Sequence, residues 1–98
     1  MRILVAEDEQ QLSHVLSSAM TASGYQVDIA NNGQEAVEQA KENAYDVIIL
    51  DIMMPVKSGL EALKEIRGAG NGAYIMMITA KGEEDDGETG IGAGADDY

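Results

Sequence analysis

The sequence lacks cysteine altogether, and it contains no long apolar run. Without cysteine the chain can form neither a disulfide nor a thiolate metal site, which is compatible with a reducing compartment. No apolar run approaches the roughly 18 residues that a membrane-spanning helix needs. The apolar start at residues 3–6 is too short for a signal peptide. We therefore expect a cytoplasmic protein that does not associate with membranes.

Basic residues are also scarce: the chain has six, against 18 acidic residues, for a net charge of −12. The six are scattered along the sequence, so the chain lacks the positive face that binding to a nucleic-acid backbone requires. We expect no direct binding to nucleic acid. The densest group of acids, residues 83–86, is typical of the solvated first turn of a helix.

Ninety-eight residues are enough for one small domain, which we place at 1–98. Apolar runs predict strands at 2–6, 25–30, 46–50 and 74–78, and a fourth helix is expected at 83–93. His14 lies off the apolar face of the first helix and should be exposed. Helical spacing predicts three apolar helix faces, formed by Leu12, Val15, Leu16, Ala19 and Met20, by Ala36, Val37 and Ala40, and by Leu60, Leu63 and Ile66. Strands that alternate with helices predict a parallel sheet covered by helices on both faces.

Polar side chains follow three of the predicted strands. Glu7 and Asp8 follow the first strand, Asp51 the third and Thr79 the fourth. Because ligands of open α/β sheets bind at the carboxyl ends of the strands, these residues indicate a site at that edge. The alternative is that polar residues follow strands only because turns are solvated.

The order of these motifs resembles a response regulator receiver domain, and the resemblance extends from Met1 to Tyr98. It implies a doubly wound, flavodoxin-like α/β fold with strand order 2-1-3-4. The ending at residues 94–98 is similar to that of regulators with a winged-helix DNA-binding output, which implies a context of transcription regulation. The motifs are Leu4-Val5-Ala6-Glu7-Asp8-Glu9, Gly24-Tyr25, Asn32-Gly33, Asp46-Val47-Ile48-Ile49-Leu50-Asp51-Ile52-Met53-Met54-Pro55, Gly59, Thr79-Ala80 and Gly94-Ala95-Asp96-Asp97-Tyr98.

The resemblance implies that Asp51 is the phosphoacceptor and that Mg²⁺ is the cofactor. Glu7, Asp8, Asp51 and the backbone carbonyl of Met53 would hold the ion. A carboxylate that attacks a phosphoryl group needs its negative charge neutralised, and oxygen ligands suit Mg²⁺. Without the ion, at least one pKa in the acidic cluster should rise. The alternative is that Glu7 and Asp8 only cap the first helix.

Further roles follow from the same resemblance. Thr79 and Ala80 would contact the phosphoryl group, Thr79 and Tyr98 would form the conformational switch, and the donor would be a sensor histidine kinase. Thr79 is alternatively a simple strand residue, and Tyr98 an exposed aromatic.

Members of the family continue past this ending to a lysine that contacts the phosphoryl group, then to a fifth strand and a fifth helix. The sequence stops at Tyr98, so the resemblance implies a C-terminally truncated receiver without that lysine. Residues 74–78 would then form an open edge, which favours a homodimer or a swapped oligomer. Glycines in the fourth helix also predict that residues 81–94 are mobile or remodelled.

Three functions stay open at this stage. The leading one is a phosphoacceptor that does no turnover beyond Mg²⁺-dependent self-phosphorylation and slow autodephosphorylation, and is otherwise not an enzyme. The alternative is a non-switching fragment that acts only as an oligomerising or assembly piece. A phosphatase of the haloacid dehalogenase type is disfavoured, because its Asp-x-Asp-x-Thr motif follows the first strand whereas Asp51 follows the third.

Overall fold

A four-stranded parallel sheet with strand order β2-β1-β3-β4 forms the centre of the protein. The computed structural model describes residues 1–78 and 94–97. The order confirms the predicted topology; the predicted fourth helix at 83–93, the acids at 83–86 and most of the segment at 81–94 lie outside the described residues. The elements are β1 (Arg2–Ala6), α1 (Gln10–Ala22), β2 (Gln26–Ala30), α2 (Gly33–Glu42), β3 (Val47–Asp51), α3 (Gly59–Gly68) and β4 (Tyr74–Ile78).

Two strands differ from the prediction by one residue at their boundaries. β2 begins at Gln26 rather than at residue 25, and β3 covers Val47–Asp51 rather than 46–50. β3 extends further because Asp51 pairs with Ile78, and the Ile52 N–H then donates to the Ile78 carbonyl over 3.0 Å. Asp51 is therefore held in the sheet itself and not in the loop that follows it.

The larger half of the core lies between the sheet and the pair α2 and α3. Leu4, Leu50 and Met77 from the strands are fully buried there. Ala36, Val37, Ala40, Leu63 and Ile66 from the two helices are buried against them, as the helical spacing predicted. Each fully buried leucine contributes about 2 kcal/mol of transfer free energy, so this half of the core dominates the stability of the sheet.

The other face of the sheet is covered by α1, and here the prediction is partly wrong. Leu16 and Met20 pack on Ile3, Val5 and Ile49. Val15, predicted on the apolar face, is 64% exposed, and Ala19 of the same face is exposed as well. Ser13, by contrast, is buried and donates from its hydroxyl to the Gln10 carbonyl. Val15 is exposed because no other described element packs on the outer side of α1. His14 is exposed, as expected.

Two helices begin at side-chain caps that fix their entry angles. Asn32 accepts a hydrogen bond from the Glu35 N–H at 2.9 Å and starts α2. Ser58 accepts from the Glu61 N–H, and the Glu61 carboxylate accepts from the Ser58 N–H, so a capping box starts α3. Such caps are worth about 1 kcal/mol each. No helix within residues 1–78 and 94–97 is long and apolar enough to cross a membrane.

The outer edge of β4 was expected to be open, but residues 96–97 pair with it. The Met77 N–H donates to the Asp97 carbonyl over 3.0 Å, and the Asp96 N–H donates to the Ile75 carbonyl over 2.8 Å. Arg67, at the end of α3, fastens this segment by donating to the Gly94 carbonyl over 2.8 Å and to the Asp96 carboxylate over 2.6 Å. These contacts occupy backbone groups that an edge-to-edge dimer would need.

Val56 adopts a backbone conformation that disfavours its side chain. Its φ is +68°, and the Lys57 N–H donates to the Pro55 carbonyl over 2.7 Å, which makes a γ-turn centred on Val56. A β-branched residue in this region is strained by about 1–3 kcal/mol.

We expect Val56→Gly to stabilise the protein by about 1 kcal/mol, because relief of strain exceeds the greater chain entropy that glycine gives the unfolded state. Urea denaturation measures the change. The matched control is Val15→Gly, at the other strongly exposed valine but inside α1, which should destabilise by about 0.5–1 kcal/mol. Equal losses for both variants would contradict the strain at Val56.

Candidate functional site

The register of the central strands brings two carboxylates side by side. β1 and β3 are parallel neighbours, and Ala6 pairs with Leu50. The next residue of each strand is an acid, so Glu7 and Asp51 emerge together at the carboxyl edge of the sheet. The Glu7 N–H donates to the Ala30 carbonyl over 3.1 Å, which extends the pairing of β1 with β2 by one residue and fixes the glutamate backbone.

Three acids meet at this edge. One carboxylate oxygen from each of Glu7, Asp8 and Asp51 lies within 4.8 Å of the others. Glu7 is 3% exposed and Asp51 is 7% exposed, whereas Asp8 faces solvent. Two buried carboxylates beside an exposed one form a site that is reached from the side of Asp8.

Only some of the carboxylate oxygens of the two buried acids accept hydrogen bonds. Glu7 Oε1 accepts from the Glu9 N–H at 3.1 Å, and Asp51 Oδ1 accepts from the Met53 N–H at 3.3 Å. Glu7 Oε2 is buried and has no donor among the described residues. Burial of an acceptor without a donor is costly, which indicates that a bound ion or water satisfies Glu7 Oε2.

The alternative that Asp8 caps the first helix is wrong. Glu9 occupies the N-cap position of α1, and its side chain makes no capping hydrogen bond. Asp8 is therefore left with its carboxylate turned toward the other two acids.

Burial, a side-chain hydrogen bond with Asp51 and the charges of Asp51 and Asp8 together raise the pKa of Glu7 to about 8, while the Glu9 N–H opposes them. The predicted rise of at least one pKa in the cluster is thus confirmed. A carboxyl whose pKa is near neutrality is held as a partly protonated acid until a cation is supplied.

The donor set fits Mg²⁺. Three carboxylates supply hard oxygen ligands, and the unpartnered Glu7 Oε2 is the atom that a cation or a water bound to it would satisfy. No thiol or imidazole belongs to the cluster, so softer metals have no preferred ligand here.

A shallow cavity of about 570 Å³ opens beside the acids. Asp8 forms one wall, and the other lining residues are mostly apolar: Ile52, Met53, Met54, Pro55, Ser58 and Leu60. A second cavity of about 270 Å³ lies between α2 and α3 at Ala40 and Ala69, and none of its lining residues belongs to the acidic cluster.

Not every predicted site residue can be located. Asp51, Glu7 and Asp8 meet as expected, and Met53 lies two residues after Asp51 and is 63% exposed. Thr79, Ala80 and Tyr98 lie outside the described residues.

Sequence reasoning missed why Gly59 is needed. A Cβ added at Gly59 would lie 1.9 Å from the Asp51 carbonyl oxygen, because the Gly59 N–H donates to the Ile52 carbonyl over 2.9 Å and draws α3 onto the end of β3. The capping box at Ser58 was a signal for this helix start, but the closeness of the two backbones has no signature in the pattern.

Comparison with known proteins gives the family. Residues 3–98 match the response regulator receiver domain. The chain is 41% identical over 98 residues to the transcriptional regulatory protein DltR of Streptococcus agalactiae, covering all of this chain and 44% of that protein. The chain thus spans less than half the length of such curated relatives.

The solved structures that resemble this fold include a response regulator and a receiver domain. The fold is similar to that of the response regulator TrrA from Thermotoga maritima in complex with Mg²⁺ and BeF, with a TM-score of 0.88, 39% identity, and coverage of 99% of this chain and 83% of that chain. It is also similar to the receiver domain of a sensor histidine kinase from Pseudomonas aeruginosa that has a magnesium ion coordinated in its active-site cleft. That match has a TM-score of 0.90, 34% identity, and coverage of 99% and 81% of the two chains.

Proposed function

Because the chain belongs to the response regulator receiver family, we propose that it accepts a phosphoryl group on Asp51 in a Mg²⁺-dependent reaction. The observation that carries the proposal is the convergence of three carboxylates within 4.8 Å, two of them buried and one with an unpartnered oxygen. A protein does not gain stability by burying unpaired acids together, so their arrangement indicates a bound cation and chemistry on phosphate.

In this proposal Glu7, Asp8 and Asp51 hold Mg²⁺, together with the backbone carbonyl of Met53. When bound, the ion offsets the negative charge of the acceptor carboxylate and of the incoming phosphoryl group. Glu7 is the ligand whose protonation is coupled to loading, since its carboxyl must lose a proton to bind the metal.

Asp51 is the nucleophile. One of its carboxylate oxygens forms a bond to phosphorus as the bond between phosphorus and the donor atom breaks, and the electron pair of that bond returns to the donor. The product is an acyl phosphate. The β3–β4 pairing at Asp51 and the Met53 N–H orient the carboxylate before the donor arrives.

The remaining roles come from the family resemblance. Thr79 and Ala80 contact the phosphoryl group, and Thr79 with Tyr98 transmits its presence. The chain catalyses no turnover of a separate substrate, apart from self-phosphorylation and slow autodephosphorylation.

The partners follow from the same reaction. The donor is a sensor histidine kinase in the cytoplasm, and the signal controls transcription, as the name of the relative DltR suggests. The chain itself does not bind nucleic acid, in keeping with its net charge of −12. Dimerisation through β4 would have to displace residues 96–97 from its edge.

The test is the intact mass of the purified chain after incubation with acetyl phosphate, with and without Mg²⁺. We expect a hydroxylamine-labile phosphoryl adduct that requires Mg²⁺ and is lost in Asp51→Asn. Asp46→Asn, which changes an exposed aspartate just before the opposite end of β3, is the matched control and should keep the adduct. A folded wild-type chain without an adduct would reject the phosphoacceptor role and favour the assembly role.

A further inference from the structure

The methionines of the chain differ widely in exposure, and the most exposed of them lies at the acidic site. All six are among the described residues. Met53 is 63% exposed, whereas Met77 is fully buried and three others are partly buried. Met1, at 57%, is the next most exposed. Met53 is therefore the methionine whose side chain a small solute reaches most readily.

Met53 forms part of the wall of the cavity beside the three acids. Its backbone N–H donates to Asp51 Oδ1 over 3.3 Å, and it lines the same cavity as Asp8. Asp8 in turn places a carboxylate oxygen within 4.8 Å of one from Asp51. A chemical change at the sulfur of Met53 thus changes a wall of the site, two residues from the phosphoacceptor.

The composition of the chain makes methionine the main target of a mild oxidant. The sequence contains neither cysteine nor tryptophan, so no thiolate competes for the oxidant. Hydrogen peroxide is uncharged, and the acidic cluster on a chain of net charge −12 does not repel it as it repels an anion. Peroxide therefore has free access to Met53.

Oxidation of Met53 leaves the core intact. Met53 belongs to neither buried cluster, whereas the neighbouring Met54 packs against the larger one and Met77 lies within it. A sulfoxide at Met77 would place a polar group in the core and disrupt the packing. A sulfoxide at Met53 stays in contact with solvent, so its effects are confined to the site.

We propose that Met53 is a site of reversible oxidation by peroxide, and that its sulfoxide shortens the lifetime of the phosphoryl group on Asp51. The sulfur lone pair attacks one oxygen of hydrogen peroxide, and a sulfur–oxygen bond forms as the oxygen–oxygen bond breaks. The departing oxygen takes up the proton of the transferred one and leaves as water. Sulfur is oxidised and peroxide is reduced. This inference rests on the proposed phosphoacceptor function and adds a means of regulating it.

The direction of the effect follows from what the sulfoxide does to water at the site. The cavity wall opposite Asp8 is mostly apolar, with Ile52, Met54 and Leu60 beside Met53. Apolar side chains hold no water in place, and water is the reactant that hydrolyses an acyl phosphate. A sulfoxide oxygen accepts hydrogen bonds, so it keeps water at the wall. The oxidised chain should lose its phosphoryl group faster.

The first measurement maps oxidation of the unphosphorylated chain. The purified protein is incubated with millimolar hydrogen peroxide, and peptide mass spectrometry gives the rate at which each methionine gains one oxygen atom. We expect Met53 to be oxidised about tenfold faster than the partly buried methionines, because reaction requires access to the sulfur. Met1 should be the one site that reacts at a comparable rate. The partly buried methionines are Met20, Met54 and Met76.

The second measurement gives the lifetime of the acyl phosphate. Untreated and oxidised chains are phosphorylated with acetyl phosphate and Mg²⁺, separated from the donor, and followed by intact mass. We expect oxidation to raise the rate of phosphate loss by about threefold or more, and the two stereospecific methionine sulfoxide reductases together to restore the original rate.

Matched variants assign the effect to one sulfur atom. Met53→Leu stays apolar but has no sulfur, so peroxide should still oxidise Met1 in this variant without changing the rate of phosphate loss. Met54→Leu removes the neighbouring thioether and should show the full effect of peroxide. Met53→Gln places a polar acceptor at the same position, and without peroxide it should lose phosphate faster than Met53→Leu.

The outcomes separate the two proposals. The regulatory site is overturned if Met53 reacts no faster than the partly buried methionines, if oxidation leaves the rate of phosphate loss unchanged, or if peroxide affects Met53→Leu as strongly as wild type. A folded, untreated chain that accepts no phosphate would instead reject the phosphoacceptor function, and the regulation with it. The oxidation map is measured without phosphate, so it distinguishes that failure from an inaccessible sulfur.

Discussion

We expect Gly59→Ala to destabilise the protein by about 3 kcal/mol or more and to abolish phosphorylation of Asp51. The added methyl group would lie 1.9 Å from the Asp51 carbonyl oxygen and 2.7 Å from its carbonyl carbon. Neither atom can move alone, because Asp51 is paired with Ile78 on β4. Either α3 separates from the end of β3 or the acceptor leaves its position. Urea denaturation and the intact-mass assay measure the two effects.

Two matched variants isolate the cause. Gly68→Ala changes the other glycine of α3, where an added Cβ meets no atom within 4 Å, and it should stabilise the protein by up to about 1 kcal/mol. Gly33→Ala would place its methyl group 2.0 Å from the Lys57 carbonyl oxygen. It should destabilise the protein comparably, but the fraction that stays folded should still accept phosphate. A Gly59→Ala variant as stable as wild type would show that the contact with Asp51 is not rigid.

The meeting of the three acids could be predicted from sequence because it follows from strand pairing. An apolar run that ends at Asp51 predicts a buried parallel strand, and a second run that ends at Glu7 predicts a neighbour with its acid at the same edge. The observed register, Ala6 opposite Leu50, then places the two acids together. Only the distinction between buried Glu7 and exposed Asp8 needed the structure, since both follow the same strand.

Features that depend on two elements at once could not be predicted in this way. Helical spacing identifies Val15 as part of an apolar face but does not say whether a second element covers that side of α1. Valine is β-branched and disfavours a positive φ, so the φ of +68° at Val56 could not be predicted from the residue type. The pairing of residues 96–97 with β4 depends on Arg67, whose position at the end of α3 is far from them in sequence.

The second large effect concerns Glu7 and the pH dependence of stability without Mg²⁺. In the folded protein burial and the neighbouring acids raise the pKa of Glu7 from 4.5 to about 8, whereas the unfolded chain has the ordinary value. Between these values the folded state holds a proton that the unfolded state has released, so stability falls as pH rises. The contribution of Glu7 is complete below about pH 4.5 and is lost as pH passes about 8.

We expect the free energy of unfolding to fall by on the order of 3 kcal/mol between about pH 5 and pH 8.5 in the presence of a chelator. Millimolar Mg²⁺ should restore much of it at the higher pH, because binding to the folded state alone adds stability and favours the ionised carboxylate. Urea denaturation over this range, with and without Mg²⁺, measures both changes.

Glu7→Gln should remove the slope, since the amide has no proton to lose and matches the carboxyl in shape. The variant should be more stable than wild type at about pH 8.5 without Mg²⁺, and it should gain little from the ion. Glu38→Gln, at an exposed position of α2, is the control and should keep the wild-type slope. If Glu7→Gln loses stability with pH as steeply as wild type, the buried proton is not on Glu7. If Mg²⁺ stabilises that variant as strongly as wild type, then Glu7 is not required for binding the ion, and Asp8 and Asp51 hold it without Glu7.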